Sequence, residues 1–190
     1  MPDGILDSVF IHHLAFVESP NVGSGTRIWE FAHVMSKAKI GENCNIGGHV
    51  FIESGAKVGN HVTVKNGISI WDLVEIEDDV FLGPHMIFTN DFMPRSFLKK
   101  KREDFLPTFV KKGATIGAGA VIVCGITIGQ YAFVGAGSVV TKNIPPYGLV
   151  VGNPARLIGY LCQCTKTKFA LNMQAGECPH CKTKNPLSKI

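Results

Sequence analysis

The chain has 190 residues, of which 45% are hydrophobic, and a formal net charge of +4 at pH 7. This length predicts one domain with at most a small appendage, and the weak positive charge does not indicate nucleic-acid binding, although it would suit an anionic substrate or cofactor. The sequence has no apolar stretch near the roughly 18 residues of a membrane-spanning helix and no N-terminal signal-peptide pattern, so we expect a cytoplasmic protein without a membrane partner.

A six-residue repeat runs through most of the chain. Beginning at Phe10, every sixth residue is apolar for fourteen positions up to Phe88, and the step resumes at Val110 for six more positions up to Val140. At this hydrophobic content, chance gives a fourteen-position run in roughly one sequence in ten thousand. The period is typical of a parallel β-helix, in which each unit supplies one short strand and one corner.

This pattern makes specific structural predictions. We expect residues 8–144 to form between six and seven coils, with all twenty periodic residues pointing inward. Gly follows the periodic residue in eight units, as in Ile40-Gly41, and we expect these glycines to relieve strain where φ becomes positive at a corner. Consecutive prolines disfavour strand pairing, so the repeat should end at Pro145-Pro146.

The repeat is interrupted between Phe88 and Val110, where residues 89–109 read TNDFMPRSFLKKKREDFLPTF. A regular solenoid that inserts a loop of this length usually does so for function, although a tolerated surface insertion is the alternative. Four phenylalanines in the loop need an apolar partner such as a neighbouring chain. The cations Lys99 to Arg102 suit either nucleotide phosphates or solvent.

Residues 8–160 resemble hexapeptide-repeat acetyltransferases, and most specifically the N-acetyltransferases of nucleotide-linked 3-amino sugars. The resemblance rests on VKNGISIWDLVEIEDDVFLGPHMIFTNDFMPRS (residues 64–96), on RIWEFAHV (27–34) and on the closing VVGNPAR. It implies a left-handed coil of three units, a homotrimer with active sites between subunits, and acetyl transfer from acetyl-CoA to a UDP- or dTDP-linked amino sugar. Such enzymes serve the biosynthesis of cell-surface polysaccharides, including lipopolysaccharide O-antigens. Uronic acids and dideoxyhexoses both remain possible sugars.

The resemblance places Asn90 near the reacting amine, where its carbonyl oxygen can accept a hydrogen bond from the amine without trapping it as an ammonium ion. His85 is the competing catalytic candidate, since imidazoles generally titrate near neutral pH; a structural role at a corner is the alternative. The further substrate-binding candidates are Asn66, Asp72, Asp91, Arg95 and His33. Arg95 could bind a carboxylate or a pyrophosphate through two hydrogen bonds.

The cofactor candidates follow from the same resemblance. The pantetheine arm of CoA needs backbone donors and a slot without large side chains, and the corner residues that offer these are Gly117, Ala118, Gly135 and Ala136. Lys142 and Arg156 are the expected phosphate partners, with ordinary surface cations as the alternative.

The six cysteines divide into two groups. Cys44 and Cys124 fall within the repeat and should pack in the core. The other four lie in residues 161–190, a segment that we separate from the β-helix domain of residues 1–160, and they are Cys162, Cys164, Cys178 and Cys181. In a reducing compartment such a cluster predicts metal ligation before disulfides. We expect one structural Zn²⁺, although CQC has one intervening residue where CPHC has two.

Two other functions compete with acyl transfer. A metal-dependent hydratase of the same architecture would need three histidines around Zn²⁺. His49 and His85 stand two coils apart on one face and could share an ion only across a subunit interface, and the position expected to hold the third ligand is Asn90. A non-catalytic solenoid scaffold is the second alternative, but it gives the FTNDFMPR loop no role.

Overall fold

The computed structural model describes residues 9–171 and 177–184, which form almost entirely β-structure. Twenty short strands wind into a solenoid with three faces, since each coil contributes one strand to each face. Face A contains β1 (Phe10–Ile11), β3 (Arg27–Ile28), β6 (Asn45–Ile46), β9 (Thr63–Val64), β12 (Phe81–Leu82), β15 (Thr115–Ile116), β18 (Phe133–Val134) and β20 (Gly148–Val151). Face B contains β2 (Phe16–Val17), β4 (His33–Val34), β7 (Phe51–Ile52), β10 (Ser69–Ile70), β13 (Ile87–Phe88), β16 (Val121–Ile122) and β19 (Val139–Val140). Face C contains β5 (Lys39–Ile40), β8 (Lys57–Val58), β11 (Val74–Ile76), β14 (Thr108–Val110) and β17 (Thr127–Ile128).

The strands of each face pair in parallel with those of the coils above and below, except that β10 and β13 of face B do not pair. Ile28 pairs with Ile46, and Ile46 pairs with Val64, so equivalent residues lie 18 positions apart. This spacing confirms a coil of three six-residue units, and the architecture is consistent with a left-handed β-helix. Face A has eight parallel strands, which makes about eight coils rather than the expected six to seven.

The buried core confirms the six-residue pattern except at its start. Eighteen of the twenty periodic residues, from Val22 to Val140, are buried. Phe10 and Phe16 are 46% and 60% exposed, so their predicted inward orientation is wrong. Ile11 and Val17 take the inward positions, because Ile11 pairs with Ile28 only 17 residues later. A shift of one residue moves a strand's side chains to the opposite face.

The glycines that follow the periodic residues have a different role from the one expected. Gly41 and Gly117 are absent from the described residues with positive φ. A Cβ atom on Gly117 would lie 2.5 Å from the amide nitrogen of Ala136, and one on Gly41 would lie 2.6 Å from the Gly59 carbonyl carbon. These positions require glycine because the backbone of the next coil passes too close for a side chain.

The solenoid continues past the two prolines at which we expected it to end. Ile144 forms an isolated parallel bridge with Ile128, and β20 adds an eighth parallel strand to face A. The chain then reverses into β21 (Arg156–Leu161), which pairs antiparallel with β20, and β22 (Lys168–Phe169) pairs antiparallel with β21. Strand β21 runs across the predicted domain boundary at residue 160, and that boundary stays a prediction.

The loop begins after β13, as expected, but the coils resume at Thr108, so it comprises residues 89–107. Its one helical turn is a 3₁₀ segment, Arg102–Asp104. Within residues 9–171 and 177–184, no helical segment has the length and apolarity that crossing a bilayer requires.

Candidate active site

Most of the predicted site residues border face B. We call the turns between faces A and B the A–B corner, and those between faces B and C the B–C corner, which includes the loop. The A–B corner carries Asn66, His85, Gly117, Ala118, Gly135 and Ala136; face B carries His33; and the B–C corner carries Asp72, Asn90, Asp91, Arg95 and Lys142. Arg156 opens β21. The coiling therefore gathers residues from distant parts of the sequence along one side of the solenoid.

Asn90 is half-buried at the point where β13 leaves the solenoid, and its neighbours hold it in place. The Trp71 indole Nε1 donates to the Phe88 carbonyl at 2.7 Å. One coil earlier, a backbone amide makes the equivalent bond, from Glu53 to Ile70 at 2.8 Å. The Thr89 hydroxyl accepts a hydrogen bond from the amide of Cys124 at 2.9 Å, which ties the residue before Asn90 to the coil above.

One ion pair holds the loop against the solenoid, and a second lies within the loop. Arg102 donates from Nε and Nη2 to the carboxylate of Asp72 at 2.5 and 3.0 Å, and Lys100 donates to Asp91 and to the Met93 carbonyl. The Arg102 hydrogen bond lowers the pKa of Asp72, and the Lys100 hydrogen bond lowers the pKa of Asp91. Both carboxylates, predicted to bind substrate, are thus already paired with loop cations.

The remaining loop cations face solvent. Arg95 and Lys99 are exposed, and Lys101 lies 3.8 Å from Glu103 with both side chains largely accessible. Arg102 therefore anchors the loop and Lys100 pairs within it, while Arg95, Lys99 and Lys101 are available to an anionic ligand.

His85 lies at the corner opposite Asn90. It adopts a positive φ of 55°, and its imidazole covers Gly67 of the preceding coil, where a Cβ atom would lie 2.4 Å from Nδ1. Strand β13 separates the two catalytic candidates, which therefore lie on opposite corners of face B.

His33 lies within an aromatic row on the outer surface of face B. Its ring centroid is 5.0 Å from that of Phe16 and 5.4 Å from that of Phe51, and Nε2 lies 3.5 Å from a Glu18 carboxylate oxygen. Phe51 in turn lies 5.8 Å from Trp71. A planar group such as a nucleobase could stack on this row.

The backbone amides of the four residues predicted to bind pantetheine fall into two sets. The amides of Gly117 and Gly135 donate to the carbonyls of Val134 and Val150, at 2.8 and 2.9 Å, so they are not available to CoA. The amides of Ala118 and Ala136 donate to no backbone carbonyl in the described part of the chain, and both residues are exposed. Lys142 and Arg156 line the same cavity of about 340 Å³ beside the last coil.

The tail cysteines come together. The four sulfur atoms of Cys162, Cys164, Cys178 and Cys181 all lie within 4.8 Å of one another, and they are the group with metal-binding geometry among the described residues. Cys44 and Cys124 are buried in the coils, as predicted. The two histidines of the hydratase alternative do not meet within a chain, because Gly67 occupies the intervening corner and His49 stacks on Phe31 at 4.8 Å.

Sequence reasoning missed the residues that position Asn90 and the loop. Thr89 and Cys124 are 35 positions apart, and Asp72 and Arg102 are 30 apart. Such pairings depend on which corner of the solenoid carries the loop. The one available signal was the coil period, which places residues 71–74 and 123–126 beside the loop.

The Asp72–Arg102 pair generates a prediction about the loop. Asp72→Asn removes the ionic anchor, and because exposed ion pairs stabilise by about 0.2–1 kcal/mol, we expect tryptic cleavage after residues 99–102 to accelerate roughly 1.4- to 5-fold. Asp79→Asn, which removes the Lys112 pair outside the loop, is the control. Since Asp72 has a lowered pKa, its contribution is present above the ordinary aspartate pKa and is lost as pH falls through the lower folded value. Unchanged cleavage would contradict the anchoring role.

Comparisons with known proteins agree with the fold and identify the family. Residues 19–54 and 107–142 match the family "Bacterial transferase hexapeptide (six repeats)". The chain is 57% identical over 173 residues to dTDP-3-amino-3,6-dideoxy-alpha-D-galactopyranose 3-N-acetyltransferase of Aneurinibacillus thermoaerophilus, and the match covers 90% of this chain and 89% of the relative. It is also 50% identical over 60 residues to serine acetyltransferase of Buchnera aphidicola subsp. Schizaphis graminum, across 32% of this chain and 23% of that protein.

A solved structure supports the same architecture. The acetyltransferase domain of PglB from Neisseria gonorrhoeae FA1090, in complex with acetyl coenzyme A, superimposes with a TM-score of 0.53 at 23% identity. The match covers 79% of this chain and 57% of that one, and it shows the fold alone. The 57% identity across almost the whole chain establishes that this protein belongs to the hexapeptide-repeat acetyltransferases, among the relatives of nucleotide-linked 3-amino-sugar N-acetyltransferases.

Proposed function

We propose that the protein transfers the acetyl group of acetyl-CoA to the 3-amino group of a dTDP-linked 3-amino-3,6-dideoxyhexose. The observation that carries this proposal is the 57% identity, over 90% of the chain, to an enzyme named for that reaction on the galactose isomer. The loop, which the Asp72–Arg102 ion pair holds in place, and Asn90 at its start support the proposal, because a regular solenoid has no structural need for either. The dideoxyhexose is favoured over a uronic acid by the same identity.

The chemistry requires a free amine held in line with a thioester. The amine nitrogen forms a bond to the acetyl carbon, the C–S bond breaks, and the amine proton leaves to a base or to the departing CoA thiolate. A sugar amine with a pKa of roughly 8 is about one-tenth neutral at pH 7, a penalty of about 1.4 kcal/mol. Orientation therefore contributes more than strong base catalysis. The Asn90 side-chain oxygen can accept a hydrogen bond from the amine and direct its lone pair.

The direct test is turnover. Release of CoA should accompany acetylation of dTDP-3-amino-3,6-dideoxygalactose, with much weaker turnover of its UDP-linked counterpart and none of the 3-hydroxy sugar. Failure to acetylate any nucleotide-linked 3-amino sugar would overturn the proposal and favour a scaffold.

Asn90→Ala tests the positioning role. We expect kcat to fall about ten- to a thousandfold, corresponding to about 1.4 to 4 kcal/mol of lost transition-state positioning. CoA affinity should hardly change, because the available amides of Ala118 and Ala136 lie at the other corner. Asn21→Ala, an exposed asparagine outside the site, is the control. Turnover near that of the wild type would show that Asn90 does not orient the amine.

His85→Ala tests the alternative base. A general base is worth roughly 10²- to 10⁴-fold in rate. If His85 accepts the proton, the loss should be partly restored as the pH is raised toward 9, where the substrate amine is neutral without help. A structural His85 would produce a smaller loss with no such recovery. The pH profile of kcat separates the two roles.

The proposal includes a homotrimer with shared sites. Exposed apolar residues border faces A and B: Phe31 is 53% exposed at their common corner, and Ile87 is 51% exposed on face B. Face C instead carries charged pairs such as Lys57–Glu75 at 2.6 Å. Since His85 and Asn90 lie on opposite corners of face B, a neighbouring subunit would complete the site. Analytical ultracentrifugation tests this: a monomer at assay concentration would contradict it.

Acetyl-CoA is the cosubstrate in this proposal. Lys142 and Arg156 supply the positive charge for its phosphates, and Arg95, Lys99 and Lys101 supply charge for the nucleotide. The proposal also includes a structural Zn²⁺ bound by the four tail cysteines. A catalytic zinc site keeps an open coordination position, which four protein thiolates do not leave.

A further inference from the structure

The segment after β21 contains two turns built in the same way. The amide of Cys162 donates to the Thr167 carbonyl at 2.9 Å, and the amide of Cys178 donates to the Thr183 carbonyl at 2.8 Å. Each turn has one residue after its second cysteine at a φ of 59°, Thr165 in the first and Lys182 in the second. The first turn joins β21 to β22, and the second is closed by an antiparallel bridge between Glu177 and Lys184.

Each turn directs its two thiols toward a common point between the turns. Sulfur atoms of Cys162 and Cys181 are 3.3 Å apart, and those of Cys164 and Cys178 are 3.6 Å apart. All pairs lie within 4.8 Å. Tetrahedral Zn²⁺ with Zn–S bonds of about 2.3 Å requires S–S separations of roughly 3.8 Å, which falls inside this range. The S–S bond of a disulfide is about 2.05 Å long. The closest sulfur pairs, each of which joins one turn to the other, are farther apart than that and suit a shared metal ion.

The hydrophobic core of this segment is small within residues 160–171 and 177–184. There, three buried side chains, Cys162, Phe169 and Cys178, form the core, with Tyr160, Cys164 and Cys181 packed around them. Four of the six are thiols. Segments of this size usually need a metal or disulfides because they bury too little apolar surface. The unusual share of thiols indicates that a metal takes the place of an apolar core.

The segment also covers the end of a sheet. Face A would end at β20 with an unpaired edge, but β21 pairs along it and β22 pairs on β21. The amide of Leu161 further donates to the Tyr147 carbonyl at 2.8 Å. Cys162 follows directly after β21, so the cluster lies where the covering strand ends. Solenoids need such caps, because an open edge strand invites pairing with other chains.

We infer that the four cysteines bind one Zn²⁺ whose role is to fasten β21 and β22 over the last coil, so that the metal caps the solenoid. This role is independent of the proposed acyl transfer. Metal binding and folding of the cap are coupled, because the four sulfur atoms lie at the contact between the two turns, where the side chains add only the Gln163–Thr183 and Thr167–Cys178 hydrogen bonds among the described residues.

The metal is tested on the full-length protein purified without chelators. Elemental analysis should find one zinc per chain, and Co²⁺ exchanged into the site should give the visible absorption of a tetrahedral four-thiolate centre. Cys178→Ser and Cys162→Ser should each lower the bound zinc at least tenfold. Lys166→Ala, at an exposed residue of the first turn, and Cys124→Ser, in the coils, should retain it. Less than one-tenth zinc per chain, with all four thiols titrating in the folded protein and no protection by added Zn²⁺, would overturn the site.

The capping role is tested by hydrogen exchange in the wild-type protein before and after zinc is removed by a chelator, which avoids relying on variants that fail to fold. Amides of residues 148–161 should exchange at least tenfold faster without metal, while those of residues 45–64 should be unchanged. Equal exchange at residues 148–161 would overturn the cap. Because neither readout involves turnover, an inactive acyl transferase would leave this test intact.

Discussion

Backbone hydrogen bonds between strands whose aligned residues lie 18 positions apart hold this molecule together, since each strand is too short to be stable by itself. Two-residue strands such as β3 and β6 bury one aliphatic side chain each, and only the stack of about eight coils joins these side chains into one core. The stacking also restricts the corners. Where the backbone of Ala136 passes over Gly117, for example, there is no room for a Cβ atom on residue 117. The six-residue pattern therefore records the geometry of stacking more than the propensity of any strand.

The same constraint determines how the candidate site is built. A loop can leave the solenoid only at a corner, and the coils above and below it then supply its supports. The Trp71 indole replaces a backbone donor to the Phe88 carbonyl. The Thr89 hydroxyl accepts a hydrogen bond from the Cys124 amide, and the Asp72 carboxylate accepts one from Arg102. These contacts compensate for the local loss of regular pairing between β10 and β13. Asn90 is held at the edge of a rigid core, which favours a positioning role in the proposed reaction.

Polar and apolar groups are distributed unevenly over the outer surface. Face C carries solvent-exposed lysine and glutamate pairs, such as Lys57 and Glu75 at 2.6 Å. Face B carries an aromatic row and, on its two corners, most of the residues assigned to sugar and CoA binding. The two corners of one chain are separated by the width of the face. The proposed shared site follows from that separation: a second chain would place its A–B corner, with His85, beside the B–C corner of the first, with Asn90.

The sequence alone determined the solenoid, since an aliphatic side chain at every sixth position matches neither the 3.6-residue period of a helix nor the two-residue period of a single strand. It also predicted the loop and the cysteine cluster, because those segments depart visibly from a regular repeat, whereas Asn90 and His85 were proposed from the resemblance to sugar N-acetyltransferases and from side-chain chemistry. It misplaced Phe10 and Phe16, since both residues of each two-residue strand are apolar there, and only pairing with β3 and β4 selects Ile11 and Val17 as the inward partners.

Tertiary structure decided the rest. Pairing with β18 and β21 continued the solenoid past Pro145, and the loop cations paired with Asp72 and Asp91 because the coil brings positions up to 30 residues apart into contact. Local sequence determines which side chains can be buried. Contacts between coils decide which carboxylate, amide or thiol meets which partner, because those distances depend on the register of the whole stack.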